Sequence, residues 1–387
     1  MKLLTGGKII LSDRILEHHA LLFTDKILSC LPETPEDRTA GIDAERIGVD
    51  GAYISPGFID VHVNGAGGAD TMDATDESME AFSKCLAEHG VTAFFPTSVT
   101  TSRERLNAAA ANVRRAMGRK MPGAAVLGLH LEGPWIDAGR KGAHPREHIE
   151  TKPDADWVSK WSDVIRTVTF SPKLDPCHVF LKSLLDLAIV PSLGHTDASF
   201  EEGMAAVAAG AKSITHLFNA QNPLHHRAPG MIGVALCSSA MCELIADGVH
   251  VRPELFEPLC KAVGTDRLMI VTDSMRAAGL PDGEYDFADR KARVTDGVPR
   301  LADGTLAGSA LCMDRGVLNV WRATGRPLTD VVKLASANPA RLHGLETRKG
   351  SLAPGCDADI ACFDDELEIR MTFVGGALVY ERSRGPL

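Results

Sequence analysis

Between residues 59 and 272 the chain repeats one pattern eight times: a short apolar run followed by a polar stretch of helical length. The runs are 59–63, 92–95, 125–131, 167–170, 189–193, 213–216, 242–246 and 268–272, and helices are expected at 77–89, 102–117, 178–187, 200–209 and 253–263. Apolar strands alternating with helices form a parallel sheet covered on its outer face. Eight such units predict an α/β fold of the (β/α)8 TIM type. The rival, a doubly wound sheet, calls for a glycine-rich dinucleotide turn after its first strand, and the sequence has none.

The two ends of the chain read differently. Residues 8–11, 19–23 and 26–28 have hairpin spacing, as do 358–363, 371–374 and 377–380. Gly375-Gly376 lies between the last two runs, and a glycine pair there is a hairpin turn signal. The ends are therefore expected to meet in one small discontinuous β-sandwich domain. The expected division is 1–54 and 346–387 for that domain and 55–345 for the barrel. A length of 387 residues suits a large barrel with a smaller companion. Residues 281–306 interrupt the last crossover with Asp282-Gly283, Asp296-Gly297 and Asp303-Gly304, turn dipeptides that predict a hairpin insertion near the mouth.

The formal net charge of -10 carries no basic stripe, so nucleic acid is not an expected partner. No apolar run approaches the roughly 20 residues that cross a bilayer, and residues 1–30 lack the apolar core of a signal peptide. The nine cysteines are odd in number, with neither zinc-ribbon nor disulfide spacing. They read as buried, reduced thiols of a cytoplasmic protein.

In a barrel, reactive groups stand where strands end and loops begin. The first strand ends in His62-Val63-Asn64 and the third in His130-Leu131-Glu132-Gly133-Pro134. The fifth ends in Gly194-His195-Thr196-Asp197 and the sixth in Thr215-His216-Leu217-Phe218-Asn219. The seventh ends in Asp247-Gly248-Val249-His250 and the eighth in Thr272-Asp273-Ser274. A lone histidine at a strand end is ordinarily structural, and a lone Asp in such a setting ordinarily caps a helix. Six such ends at one mouth are hard to explain that way. Imidazole and carboxylate converging on one cavity are what a divalent metal needs. A hydrolytic metal site leaves one position open to water and lowers that water's pKa. Glu132, His195, His216 and His62 are the candidate ligands, and Asp273 is the candidate general base.

These same residues carry a family resemblance. Pro56-Gly57-Phe58-Ile59-Asp60-Val61-His62-Val63-Asn64-Gly65 resembles the first-strand signature of the amidohydrolase superfamily, and of its N-acetylglucosamine-6-phosphate deacetylase branch in particular. The third-, fifth-, sixth-, seventh- and eighth-strand ends above continue the match, with Lys141-Gly142-Ala143-His144, Leu306-Ala307-Gly308-Ser309, Ala337-Asn338-Pro339-Ala340 and the stretch 350–359. It spans nearly the whole chain. The resemblance implies that Glu132, His195 and His216 hold the principal metal and that Asp273 is the base. It implies that His144 binds substrate at the acetyl oxygen and that His250 contacts the sugar. Asn219, Ala220 and Arg227 would hold the phosphate, with Leu306 and Ala307 also at the substrate. It further implies a homodimer acting on a small amino-sugar phosphate.

Arg offers a planar fork that matches phosphate oxygens, and His225-His226-Arg227 gives an acidic chain a local cationic patch. Two histidines and a carboxylate suit Zn, Fe, Mn or Co, with Zn expected. Asn64 stands where some relatives have a second histidine, so one tight metal is expected, with His62 the candidate for a weaker second site. Lys173 stands where the family usually has an acidic residue and is expected to be a surface or salt-bridged lysine. Gln221, Asn222, Ala228, Ser274 and Arg276 also depart from the family pattern, near the expected sugar pocket. They leave N-acetylgalactosamine 6-phosphate, or another amidohydrolase substrate, as alternatives to N-acetylglucosamine 6-phosphate.

Overall fold

The first barrel strand, Phe58–Val63, is buried along its whole length, as a strand enclosed on both faces must be. In the computed structural model, which describes residues 1–33 and 43–383, seven further strands follow: Val91–Ser98, Leu129–Glu132, Ile165–Phe170, Val190–Leu193, Ser213–Ile214, Met241–Ile245 and Leu268–Val271. Each pairs in parallel with the next, from Phe58 opposite Val91 round to Leu268 opposite Cys242. The first and eighth strands share no ladder. Their seam is closed by Asp273 N–H donating to His62 O at 2.8 Å and Asn64 N–H to Ser274 O at 2.9 Å. Below them Thr272 Oγ1 donates to Asp60 Oδ2 at 2.6 Å.

Several contacts join strands that are not neighbours, and these can only cross the inside of a barrel. His62 on the first strand reaches Glu243 on the seventh at 2.8 Å. Thr169 on the fourth reaches Thr215, just past the sixth, at 2.7 Å. The interior is thus partly polar, and these groups partner one another across it. The outer faces of the strands pack on amphipathic helices such as Asp76–Glu88, Arg103–Met117 and Met313–Thr324. The first two begin at side-chain N-caps, Thr75 and Ser102.

The chain ends meet as expected. Strands Ile360–Phe363, Ile369–Val374 and Ala377–Glu381 join Tyr53–Pro56, Lys8–Ile10 and Ile15–Leu16 in one six-stranded sheet. A four-stranded sheet built wholly from N-terminal residues faces it. Leu4, Leu21 and Phe23 pack between the sheets against Ile54, Ile360 and Phe373, and the Phe23 and Phe373 rings meet edge to face at 5.4 Å. Gly375 and Gly376 both have positive φ, the conformation a two-residue hairpin turn requires.

Three local expectations are corrected, and one helix is additional to those expected. The third run, 125–131, is broken: Ala125–Val126 and Leu129–Glu132 are separate strands, with Gly128 at φ +152 between them. The apolar stretch holding Cys237 is a helix, Gly230–Cys237, uniformly buried over its first six residues, so it shows no polar face to mark it in the sequence. The insertion is a three-stranded antiparallel sheet of Gly283–Phe287, Arg290–Thr295 and Val298–Leu301, more than a hairpin. All nine cysteines are free, but Cys177 and Cys237 are exposed, not buried. Among the described residues no helix is long and apolar enough to cross a membrane.

Candidate metal centre

Glu132, at the end of the third strand, lies at the centre of the site. Its Oε1 is 3.0 Å from His195 Nε2 and 3.1 Å from His216 Nε2, and the two ring nitrogens are 3.0 Å apart. Three electron-pair donors thus converge on one point. His195 Nδ1 lies 2.8 Å from the Arg140 carbonyl, which accepts its proton and leaves Nε2 with a free lone pair, the usual orientation of a ligating histidine. Burial pushes His195 down to about 4, with Glu132 opposing and His144 assisting, so the ring is neutral and competent to ligate. Facing lone pairs at such distances call for a cation between them, and the N/O set suits a divalent metal.

His62 supports the same conclusion. Its Nδ1 is held by Glu243 at 2.8 Å. Its Nε2 lies 3.3 Å from Asp273 Oδ1 and 3.5 Å from Glu132 Oε1, yet is buried without a hydrogen-bond partner among the described residues. Burial alone would push His62 down, but Asp273, Glu132 and Glu243 outweigh it and push it well above its ordinary value. A positive charge belongs there, on the ring or between it and the carboxylates. Glu132, His144 and His195 form one group whose donor atoms lie within 4.8 Å of one another, and His62, His130 and Glu243 form another.

Asp273 ends the eighth strand beside these donors. Asn64 Nδ2 donates to its Oδ1 at 2.9 Å. Burial raises the Asp273 carboxyl; His62 lowers it in part, and Glu132 raises it further. The backbone at the strand ends is strained: φ is +48 at His195, +26 at His216 and +45 at Asp273. Left-handed backbone at a non-glycine residue costs on the order of 1–3 kcal/mol and clusters at functional sites. Here it turns each side chain off its strand and into the mouth.

A cavity of about 210 Å³ opens over this centre. Its wall includes His144, Asn219, Ala220, His250, Phe287 and Leu306. His144 Nδ1 accepts from Thr100 N–H at 3.0 Å, which leaves Nε2–H as a donor. His250 Nδ1 donates to Asp247 Oδ2 at 2.7 Å, which leaves Nε2 as an acceptor.

Two expected substrate residues are not in the wall. Ala307 is wholly buried, and its N–H donates to Pro299 O at 3.1 Å. Arg227 is exposed on the loop beyond Ala220 and lies against His226. The departures from the family pattern also face elsewhere. Gln221 is buried and donates to Thr215 O at 3.0 Å. Asn222 donates to Asp197 O at 3.2 Å and accepts from Arg140. Ser274 donates to Gly65 O, and Arg276 pairs with Asp73 at 2.8 Å. Of the departing positions only Asn64 reaches the cavity. Gln221, Asn222, Ala228, Ser274 and Arg276 do not line the cavity. Lys173 is ion-paired with Asp197, partly exposed, as a salt-bridged lysine should be.

Sequence reasoning passed over Glu243, Asn64 as the partner of Asp273, and Phe287. Glu243 left a signal, since a carboxylate inside the apolar run 242–246 needs a buried partner. Phe287 left none, because the inserted sheet brings it to the mouth only through the fold.

A profile of the amidohydrolase family matches residues 53–379. The chain is 39% identical, over 85% of each sequence, to an N-acetylglucosamine-6-phosphate deacetylase of Bacillus subtilis (strain 168). It is 33% identical to an N-acetylgalactosamine-6-phosphate deacetylase of Escherichia coli O157:H7, over 97% of this chain and 98% of that one. Among solved structures it is similar to a mutant of the N-acetyl-D-glucosamine-6-phosphate deacetylase of Mycobacterium smegmatis in complex with N-acetyl-D-glucosamine-6-phosphate. That similarity has a TM-score of 0.89 at 30% identity, covering 98% of this chain and 99% of that one.

Proposed function

The chain belongs to the amidohydrolase family, and from that premise we propose that it hydrolyses the N-acetyl amide of N-acetylglucosamine 6-phosphate to glucosamine 6-phosphate and acetate. The observation that carries this reading is the convergence of Glu132, His195 and His216 beside an Asp273 held by Asn64. Similarity to deacetylases along most of the chain supports it.

Glu132, His195 and His216 would hold one divalent ion, with zinc the choice for a two-histidine, one-carboxylate set. Such an ion polarises the amide carbonyl and lowers the pKa of a water beside it. Asp273 takes the proton from the attacking water and delivers it to the leaving nitrogen. Its raised affinity for a proton suits a base that must later act as an acid. His62 keeps positive charge against Asp273 and Glu132 and is the candidate for a weaker second site.

His144 Nε2–H donates to the acetyl oxygen as charge builds there. His250 accepts from a sugar hydroxyl. Asn219, Ala220 and the Leu306 turn frame the sugar, and Arg227 supplies a planar fork at the rim for the phosphate. The barrel, 55–345, carries all of these groups, and the β-domain of 1–54 and 346–387 none. We place the enzyme in the cytoplasm, where its nine free thiols stay reduced, and as a homodimer through the mouth loops, where Leu224 and Val249 are exposed.

The test is acetate release from N-acetylglucosamine 6-phosphate by metal-loaded protein, run beside the galactose epimer and the unphosphorylated sugar. Release that needs both metal and phosphate, and favours the glucose epimer, is expected. Arg227→Ala should raise KM for the phosphorylated sugar far more than for the unphosphorylated one. Preference for the galactose epimer would reassign the substrate, and no release from any of the three would remove this reading.

A further inference from the structure

Outside the cavity wall, a second set of donor side chains lies where the helices Asp76–Glu88 and Met313–Thr324 meet. Cys85 and His89 stand one helical turn apart, in the last turn and at the C-cap of Asp76–Glu88. Cys312 is the N-cap of Met313–Thr324, and Asp314 lies in that helix's first turn. Donor atoms of His89, Cys312 and Asp314 lie within 4.8 Å of one another. His89 Nδ1 is 3.0 Å from Asp314 Oδ2, so Nδ1 carries the proton and Nε2 keeps its lone pair for a partner.

The Cys312 thiol is within 4.8 Å of the His89 ring, and Cys85 Sγ, 3.8 Å from Ala278 O, borders the same space. Gly279 keeps the adjoining space open. A β-carbon there would lie 2.9 Å from Cys85 Sγ and 3.7 Å from His89 Nε2. Cys85 and Asp314 are buried, while the His89 side chain keeps 25% of its exposure and so leaves a way in.

We propose that Cys85, Cys312 and His89 bind a second metal ion, of the zinc class, and that Asp314 orients His89 for it. Two thiolates and an imidazole form a soft N/S set, the kind that structural zinc sites use, with water completing a tetrahedron. The Asp314–His89 pair is the carboxylate–histidine arrangement that fixes tautomer and ring orientation behind a metal.

The proton balance is simple: the two thiols lose their protons to solvent, and the neutral imidazole adds its lone pair. The placement has a purpose for the fold. The ion would tie the first barrel helix to Met313–Thr324 across the seam where the first and eighth strands share no ladder.

The donors of the mouth site are nitrogen and oxygen only, so a thiolate signature reports this site alone. Metal-free full-length protein would be titrated with Co²⁺ and followed in the near ultraviolet. A thiolate-to-cobalt charge-transfer band is expected, with the intensity of one thiolate-bound ion per chain. Cys85→Ser and Cys312→Ser should abolish it, and Asp314→Asn should weaken its affinity about 10–100-fold. His195→Ala, which disables the mouth site, should leave it intact. Zinc-loaded Cys312→Ser should carry one metal equivalent fewer than wild type. The proposal is overturned if wild type shows no such band, if the band survives both serine variants, or if Cys85 and Cys312 are recovered as a disulfide.

Discussion

Asp273 and Glu243 show how much one carboxylate can depend on its company. Asp273 is pinned by Asn64 and His62 but donates nothing to the proposed metal triad of Glu132, His195 and His216. Asp273→Asn should therefore abolish turnover while metal content stays at the wild-type level. A variant with near-normal kcat would remove Asp273 from the role of base. Glu243 does not reach the cavity, yet its Oε2 accepts from both His62 Nδ1 and His216 N–H, at 2.8 and 3.1 Å. It positions one histidine by its ring and another by its backbone. Glu243→Gln keeps the shape and loses the charge that balances His62. Metal affinity should fall about 10–100-fold, the usual effect of changing an outer partner of a metal site. Unchanged affinity by competition with a chelator would show Glu243 to be a packing residue only.

At the scale of elements, the loops after the first and eighth strands interlock. Asp70 caps the short turn Thr71–Asp73, its Oδ1 accepting from Met72 N–H at 2.9 Å, and lies 4.0 Å from Arg276 on the eighth-strand loop. Burial raises its carboxyl to about 6, although Met72 N–H and Arg276 act against the shift. A folded-state value above the unfolded value of about 4 means that the protonated form favours the fold. The stability contribution is complete below about pH 4 and is lost as pH climbs through about 6. Asn caps a turn as well as Asp does and does not titrate. Relative to Asp70→Asn, wild type should lose melting temperature between about pH 4 and 6, with no further divergence above. Parallel pH profiles for the two proteins would show that Asp70 is ionised throughout.

At the scale of the whole molecule, the barrel closes through side chains and loop backbone where its first and last strands share no ladder. Asp60 is fully buried and accepts from Thr272 Oγ1 at 2.6 Å and from His62 and Thr272 N–H more weakly. Thr272→Val keeps the volume and leaves one carboxylate oxygen without its strongest donor, at a cost of about 1–3 kcal/mol. The melting temperature should fall while metal content is unchanged. An unaltered melting temperature would mean that the seam does not limit stability.

The sequence alone determined the eightfold strand–helix alternation and the polar residues that end the strands, because hydrophobic periodicity and strand termini are local properties of a chain. His62, Glu132, His195, His216, His250 and Asp273 were legible for that reason. So was the meeting of the two ends, since Gly375-Gly376 and alternating apolar runs mark strands that need partners. What only the tertiary structure decided is which of these groups touch. Glu243 behind His62, Asn64 against Asp273, Phe287 carried to the cavity by the inserted sheet, and Ala307 turned away from it all depend on residues far apart in sequence. Those contacts depend on barrel closure and on left-handed turns at His195, His216 and Asp273. Distances between strand ends are set when the sheet closes on itself, and no stretch of sequence holds that information.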